Sequence, residues 1–233
     1  KSRLRLVLSI FYFSTHGSWW KQSDRWMSDV DPCDGWYGVA CDRGDELDTE
    51  ESDVPVSLLR LSENGIRGSI PDEFFMLSKL QTLDLSKNPI TGSLSLEINK
   101  LSALTELNLG ETRFVGSIPT QIGMLTALTS LEISGVEPWG ITGIIPSELG
   151  SSTSLTSLHI QSSFLQGSVP REFGALTRLE KLVLKGAFTG TMPCAILEIG
   201  TLHKLEVIRV TEKGDEIEIS NNTSCNISRD VEA

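Results

Sequence analysis

Few side chains in this sequence are spaced for catalysis. The three histidines, His16, His159 and His203, are widely separated, and no G-x-S-x-G, H-E-x-x-H or phosphate-binding G-x-x-x-x-G-K motif occurs. Nucleophilic catalysis, zinc chemistry and phosphate binding each depend on such spacing. The sequence therefore predicts no enzyme, no metal site and no cofactor.

An acidic run is the densest group of ionisable residues. Residues 42–53 hold seven carboxylates and one arginine, which is more than half of the net charge of −11. A calcium loop would need the D-x-D-x-D-G pattern, and this run lacks it. We interpret the run as a solvated loop.

Composition limits the class of protein. The 233 residues are 39% hydrophobic and 22% charged, which is typical of a globular chain of one large or two small domains. A net charge of −11 argues against a nucleic-acid partner, because no counterions would be released on binding. No apolar run approaches the roughly 18 residues that span a bilayer. We expect contact with a membrane only through a segment outside this chain.

The first residues combine basic and apolar side chains as a signal peptide does. Arg5 interrupts the apolar stretch, however, and no small-residue cleavage site follows. Four apolar residues lie at i, i+3, i+4 and i+7, namely Leu4, Val7, Leu8 and Phe11. This spacing predicts an amphipathic helix over residues 2–14. We expect any targeting segment to have been removed before Lys1.

A repeat runs through most of the chain. The phrase L-x-x-L-x-L-x-x-N-x-L-x-G-x-I-P recurs at spacings of 24, 24, 24, 27, 24 and 26, from starts at Val56, Leu80, Leu104, Leu128, Leu155, Leu179 and Leu205. This period and leucine pattern predict a right-handed leucine-rich-repeat solenoid. A parallel β-sheet would form its concave face, and 3-10 turns and loops its convex face.

Alternation within each repeat separates inward from outward side chains. Leu83 and Leu85 should point into the core and Asp84 outward. The same rule places Ile208 and Val210 inward in the last copy. After the strand, Asn64 and Asn88 should satisfy backbone groups of the turn, a role that Thr112, Val136, Ser163 and Ala187 take over less well.

The outward residues form a row across the predicted sheet: Arg60, Asp84, Asn108, Glu132, His159, Val183 and Arg209, with Lys181 beside it. Asp84 and Glu132 should be roughly 10 Å apart, because strands lie about 4.8 Å apart. That separation exceeds the roughly 5 Å of a retaining glycosidase pair, and a shallow sheet offers no water-excluding pocket. We interpret the row as a recognition strip with an acidic middle and basic ends. Ordinary solvated surface is the alternative.

Copy four carries an insertion. It is three residues longer than its neighbours and places Trp139 between Pro138 and Gly140. An exposed tryptophan on such a loop is typical of binding hot spots. The alternative is that Trp139 folds back to fill a gap in the core.

The phrase after each turn carries a resemblance to a known family. I-R-G-S-I-P at Ile66–Pro71 and F-V-G-S-I-P at Phe114–Pro119 resemble the plant-specific class of leucine-rich repeats. That resemblance implies a second short sheet on the flank of the solenoid. The segment Trp19–Cys41 resembles the N-terminal cap of plant-type receptor ectodomains, in the variant found in plant-like proteins of algae and protists.

Cysteines and sequons suit an extracellular protein with two caps. Four cysteines allow three pairings, of which locality favours Cys33–Cys41 with Cys194–Cys225. Glycosylation sequons begin at Asn221, Asn222 and Asn226. We predict an N-terminal cap over residues 1–55, six repeats over 56–204, and a last partial repeat with a C-terminal cap over 205–233.

The resemblance implies a binding function. We expect a receptor or co-receptor ectodomain, monomeric in isolation, that recognises a protein or peptide, including another receptor's ectodomain. The alternative is a secreted inhibitor of an extracellular hydrolase, similar to the polygalacturonase-inhibiting proteins. Carbohydrate or ice binding would need regular threonine or aromatic rows, and only Thr82 and Thr211 lie on strand exteriors.

Overall fold

A nine-stranded sheet forms the concave face of the protein in a computed structural model that describes residues 3–42, 56–210 and 216–218. Seven parallel strands make up its body: β2 (Val56–Arg60), β3 (Thr82–Asp84), β4 (Glu106–Thr112), β6 (Ser130–Gly135), β8 (Ser157–Gln161), β10 (Lys181–Gly186) and β11 (Lys204–Val210). One antiparallel strand covers each end, namely β1 (Val39–Cys41) beside β2 and β12 (Glu216–Glu218) beside β11. The predicted solenoid is confirmed.

Inward leucines form one continuous core. Leu83, Leu107, Leu131 and Leu158 occupy the same register position in successive strands, and each is at most 1% exposed. Parallel pairing places such residues about 4.8 Å apart, so the column leaves little room for water. Burial of a leucine side chain stabilises the fold by about 1.5–3 kcal/mol, and the repeat multiplies this contribution.

The convex face is made of short 3-10 segments, as the sequence predicts. They are Asp72–Met76, Leu96–Lys100, Thr120–Met124, Ser147–Ser151 and Arg171–Ala175. A proline immediately precedes four of them, where its fixed φ suits the start of a helical turn and its missing N–H is not needed. The copy without this proline begins instead with Ser95, whose hydroxyl accepts a hydrogen bond from the Glu97 N–H.

The flank carries the second sheet that the family resemblance implies. Its strands are β5 (Gly116–Ser117), β7 (Ile141–Ile144) and β9 (Leu165–Gln166), paired in parallel, and single bridges extend it toward the N-terminus. These strands follow the turns, where the asparagine ladder is also found. Asn88 accepts hydrogen bonds from the N–H groups of Asn64 and Ile66, at 2.9 and 3.0 Å, and its amide donates to three carbonyls.

Helix α1 (Arg3–Ser14) lies over the first repeat and buries the four predicted apolar residues. Arg5, which interrupts the apolar pattern, points to the cap rather than the core. Its guanidinium donates to the carbonyls of Asp29 and Val30, at 3.1 and 2.6 Å, and lies over the ring of Trp36. Within residues 3–42, 56–210 and 216–218, no helix is long and apolar enough to cross a bilayer.

Aromatic rings fill the N-terminal cap. Trp26 lies between Trp20 and Trp36, with ring centroids 4.8 and 5.0 Å away. Phe11 of α1 contacts Phe74 of the first repeat at 5.0 Å, which joins the cap to the solenoid core. Each of the three buried indole N–H groups donates to a backbone carbonyl, so no polar group in this cluster loses its partner.

The cysteine prediction is confirmed where the structure describes it. Cys33 and Cys41 form a disulfide eight residues apart. Cys194 starts the short helix α2 (Cys194–Leu197) and is disulfide-bonded. Its predicted partner Cys225, the three sequons, Thr211 and the acidic run after Asp42 lie outside the described residues.

The last copy departs from the predicted alignment. In β11, Leu205 and Val207 pair with the inward Leu182 and Leu184 of β10. The copy therefore begins at Leu202, 23 residues after Leu179. The inward assignment of Ile208 is wrong, since Ile208 pairs with Lys185 and is only partly buried.

We predict that the variant Cys33→Ser with Cys41→Ser is destabilised mainly in the N-terminal cap. The disulfide closes the loop around the buried Trp36, and such a bridge is worth about 2–4 kcal/mol. Thermal denaturation should give a lower melting temperature, and hydrogen exchange should speed up in residues 19–41 before it does in the repeats. An unchanged melting temperature would show that the aromatic cluster holds the cap without the bridge.

Candidate recognition surface

Backbone pairing brings most of the predicted row together on the concave face. Arg60, Asp84, Asn108, Glu132 and His159 are paired in register from β2 to β8. Val183 continues the row in β10, with Lys181 two residues before it. We call these residues the concave strip.

Arg209 does not belong to the concave strip. The residue paired with Val183 is Glu206, whereas Arg209 pairs with Gly186 at the far end of β11. Its guanidinium donates to the carbonyl of Gly190, at 2.8 Å. The prediction was wrong because the copy that begins at Leu179 is one residue shorter than the usual 24, and the leucines at 202 and 205 allow two alignments three residues apart.

Charges on the concave strip are paired between strands. The Arg60 guanidinium lies 3.1 Å from the Glu106 carboxylate, and His159 Nδ1 lies 3.4 Å from the Glu132 carboxylate. The predicted acidic middle is therefore partly compensated by its neighbours. A partner must offer groups that compete with these pairs or complement the carboxylate oxygens left open to solvent.

Two strip residues accept hydrogen bonds from the residue two positions later in the chain. Asp84 accepts hydrogen bonds from the N–H and the hydroxyl of Ser86, at 3.0 and 2.7 Å. Asn108 accepts from the N–H of Gly110, at 3.0 Å. These contacts fix both side chains before any ligand arrives, which lowers the entropy cost of binding.

Glu132 is the strip residue with the clearest electrostatic perturbation. The hydrogen bond with His159 is the main cause that lowers the pKa of Glu132. Partial burial works in the opposite direction, and the charges of His159, Lys181 and Lys87 add to the lowering. Glu132 therefore stays ionised and offers a fixed negative charge at the centre of the strip.

A lateral groove of about 480 Å³ runs beside the strip, where the strands end. Its lining residues are Glu63, Lys87, Asn88, Pro89, Glu111, Arg113 and Val136. Glu63, Lys87 and Glu111 occupy equivalent positions in three copies and share a left-handed backbone, with φ of 54°, 55° and 54°. This conformation is costly for residues other than glycine, and it turns three charged side chains toward the groove edge.

The insertion loop lies at the end of the lateral groove. Trp139 is 42% exposed, so it does not fill a gap in the core. Gly140 approaches the next copy so closely that a Cβ there would meet Ser162 Oγ at 2.5 Å and Phe164 at 3.3 Å. The loop is thus seated on copy five, with Val136, Trp139 and Phe164 exposed to solvent.

Sequence analysis missed Glu63, Arg113 and Phe164 as parts of this surface. The 24-residue period could have aligned Glu63 with Lys87 and Glu111, but nothing in the pattern indicates their left-handed backbone. Among the described residues, no group of three or more His, Cys, Asp or Glu side chains could hold a metal ion.

Comparisons with known proteins agree with this fold. The sequence profile of the Leucine Rich Repeat family matches residues 79–101. A search of curated protein sequences found no match. Solved structures match far more of the chain, because the solenoid backbone persists where the sequence diverges.

Three of these structures are informative. The Arabidopsis receptor kinase HAESA, solved with the peptide hormone IDA and the co-receptor SERK1, is 29% identical with a TM-score of 0.75, covering 89% of this chain and 33% of that chain. The plant peptide hormone receptor RGFR1, solved with RGF2, is 28% identical with a TM-score of 0.61, covering 66% and 25%. A plant ice-binding protein is 26% identical with a TM-score of 0.72, covering 88% and 62%. The resemblance to plant-type leucine-rich-repeat receptor ectodomains is confirmed, although this chain spans only about a third of HAESA's length.

We predict that the Glu132–His159 contact adds stability that acid removes. The pKa of Glu132 is lower in the folded chain than in the unfolded chain, so the contribution is complete above the ordinary glutamate pKa and is lost as pH falls through the lowered value. Because the Glu132 side chain is 39% exposed, the contribution should stay below about 1 kcal/mol. Urea denaturation at about pH 6 and about pH 3, above and below the ordinary glutamate pKa, checks this.

The variant Glu132→Gln should lose less stability than the parent between these two pH values, and His159→Leu should behave in the same way. If both variants keep the parent's full pH dependence, the contact carries no measurable free energy.

Proposed function

We propose that this chain is an extracellular binding module that recognises a protein or peptide through its concave strip, its lateral groove and the Trp139 loop. The observation that carries the proposal is the continuity of these three parts. The ion-paired strip borders the groove, and the groove ends at Val136, next to an exposed tryptophan. Fixed charges beside an aromatic anchor are the combination found in specific protein interfaces.

The comparisons support a ligand-binding role. Two of the matching receptors were solved with peptide hormones, and one of them also with a co-receptor. We infer that the partner is a folded ectodomain or a short peptide. The hydrolase-inhibitor alternative receives no support from these comparisons and is not carried further.

The compartment follows from covalent chemistry. The Cys33–Cys41 disulfide requires an oxidising environment to form and persist. The sequons at Asn221, Asn222 and Asn226 would be used only in the secretory pathway. We therefore place the chain outside the cell, as a secreted protein or part of a cell-surface protein, and as a monomer in isolation.

We predict that peptides selected from a random displayed library against the intact chain bind through this surface. Trp139→Ala should weaken the binding of the selected peptides by more than about 2 kcal/mol. The melting temperature should hardly change, as expected for an exposed hot spot. The variant Asp84→Lys with Glu132→Lys should slow association, because exposed charges steer encounter more than they stabilise folding. Surface plasmon resonance measures both effects.

The matched control is Glu148→Lys with Glu172→Lys, which makes the same charge change on the convex face. The control should leave both rate constants nearly unchanged. Selected peptides that bind all variants equally would exclude this surface as the binding site. A large loss of stability in Trp139→Ala would instead assign Trp139 a structural role.

A second candidate function, ice binding, rests on the flank. We call two rows of residues around the second sheet the flank strip: Arg67, Thr91, Val115, Thr142, Gln166 and Thr189 in one, and Ser69, Ser93, Ser117, Ile144, Ser168 and Thr191 in the other. Arg67 is the only charged member, in a chain that is 22% charged. All members are exposed except the half-buried Thr91. These rows lie outside the main sheet, so the outward positions of its strands do not reveal them.

Copies pack closely along the flank strip. Ser69 and Ser93 each lie against the glycine of the next copy, 3.1 Å from a Cβ built on Gly92 and 3.5 Å from one built on Gly116. Parallel pairing repeats these small side chains about every 4.8 Å. Among the described residues, the hydroxyls of Ser93, Ser117 and Thr142 have no hydrogen-bond partner, so they are free to order water.

A repeating and almost uncharged face suits the surface of ice, because charged side chains hold their own water too strongly to join a lattice. The matching plant ice-binding protein supports this candidate. The flank strip holds no aromatic residue, which disfavours carbohydrate as the ligand.

We predict that the intact chain slows ice recrystallisation and that Ser117→Lys with Thr142→Lys abolishes the effect, because two ammonium groups would interrupt the middle of the flank strip. The control is Asn108→Lys with Ser130→Lys, which adds the same charges to the concave face and should preserve the activity. If the parent chain leaves ice growth unchanged, or if both double variants lose the activity equally, the flank strip is not an ice-binding face.

A further inference from the structure

A pocket of about 620 Å³ lies on the convex side, between α1 and the first two repeats. Its apolar floor consists of Leu4, Val7, Val56, Phe75 and Leu77, each at most 8% exposed. Its volume is within the roughly 300–1,000 Å³ typical of small-molecule sites. We call it the convex pocket. It is separate from the concave strip, the lateral groove and the flank strip.

The pocket has an identifiable physical cause. In three later copies the position equivalent to Phe75 is glycine, and close stacking requires it there. A Cβ on Gly123 would lie 2.1 Å from the carbonyl oxygen of Glu148, and one on Gly150 would lie 2.6 Å from that of Glu172. A phenyl ring cannot allow so close an approach, so the convex side stays open between the 3-10 segments of the first and second copies.

The charged residues at the rim of the convex pocket are basic within the part of the chain that the structure describes. They are Arg3, Lys79 and Lys100. Lys100 contacts Glu97 on its own 3-10 segment. Arg3 and Lys79 have no ion-pair partner among the described residues.

This combination specifies the chemistry of a ligand. An apolar floor favours a hydrocarbon chain, because its burial removes apolar surface from water. The rim cations favour a negative head group that remains at the solvent boundary, where a carboxylate can accept hydrogen bonds from lysine or arginine. We propose that the convex pocket binds a single-chain anionic amphiphile, such as a long-chain fatty acid.

The proposal is tested by calorimetric titration of the intact chain with dodecanoate below its micelle concentration. One molecule should bind per chain, and dodecyltrimethylammonium, with the same tail and a positive head group, should bind at least about tenfold more weakly, because it meets like charges at the rim. Lys79→Glu should weaken dodecanoate binding by about tenfold or more and reduce the preference between the two head groups.

The matched control is Arg178→Glu. Arg178 occupies the position of Lys79 four copies later, is exposed as Lys79 is, and lies outside the pocket. This variant should bind dodecanoate as the parent does. The proposal is overturned if dodecanoate does not bind, if both amphiphiles bind equally, or if Lys79→Glu and Arg178→Glu have the same effect. Because these residues lie away from the concave strip, failure here leaves the peptide-binding proposal unaffected.

Discussion

Parallel pairing of one short strand per repeat is the constraint on which the rest of this structure depends. Once Leu83, Leu107 and Leu131 are in register, every other position of the repeat is also fixed relative to its equivalents. A shift of one residue would move each leucine from the core to solvent, so the register is strongly specified. The solenoid therefore converts a sequence period directly into rows of side chains.

The same period produces surfaces of different chemistry, because each row faces a different environment. The concave strip carries charges that pair between strands, as Arg60 does with Glu106. The flank strip is nearly uncharged, because small side chains such as Ser93 lie against the glycine of the next copy. The proposed binding sites lie where the repetition is broken, at the Trp139 loop and at Phe75. A uniform stack would offer neither a protruding aromatic residue nor a pocket.

The N-terminal end shows how a stack is closed. The first strand exposes an edge and one end of the leucine column, and both must be covered. The antiparallel β1 pairs with that edge, while the rings around Trp26 and Phe11 cover the column. In the cap, an antiparallel strand and a cluster of aromatic rings therefore take the place of the leucine contacts that each repeat makes with the next. The convex pocket lies where the cap and the repeats join, because α1 does not fill the space beside Phe75.

The sequence by itself determined the solenoid, the helix over the first repeat, the Cys33–Cys41 pairing and most of the concave strip. The repeat period, the helical spacing of apolar residues and the closeness of the two cysteines are all visible in the chain itself. Tertiary structure decided what depends on how copies meet. The register of β11 places Glu206, not Arg209, next to Val183 in the outward row. The shortened copy before it allows two alignments of the leucines, and only strand pairing decides between them. Three features depend on contacts between residues of different copies. They are the exposure of Trp139, the left-handed residues along the lateral groove, and the basic side chains at the convex pocket. The sequence repeat does not specify how closely two copies approach each other, so these features could be found only in the folded chain.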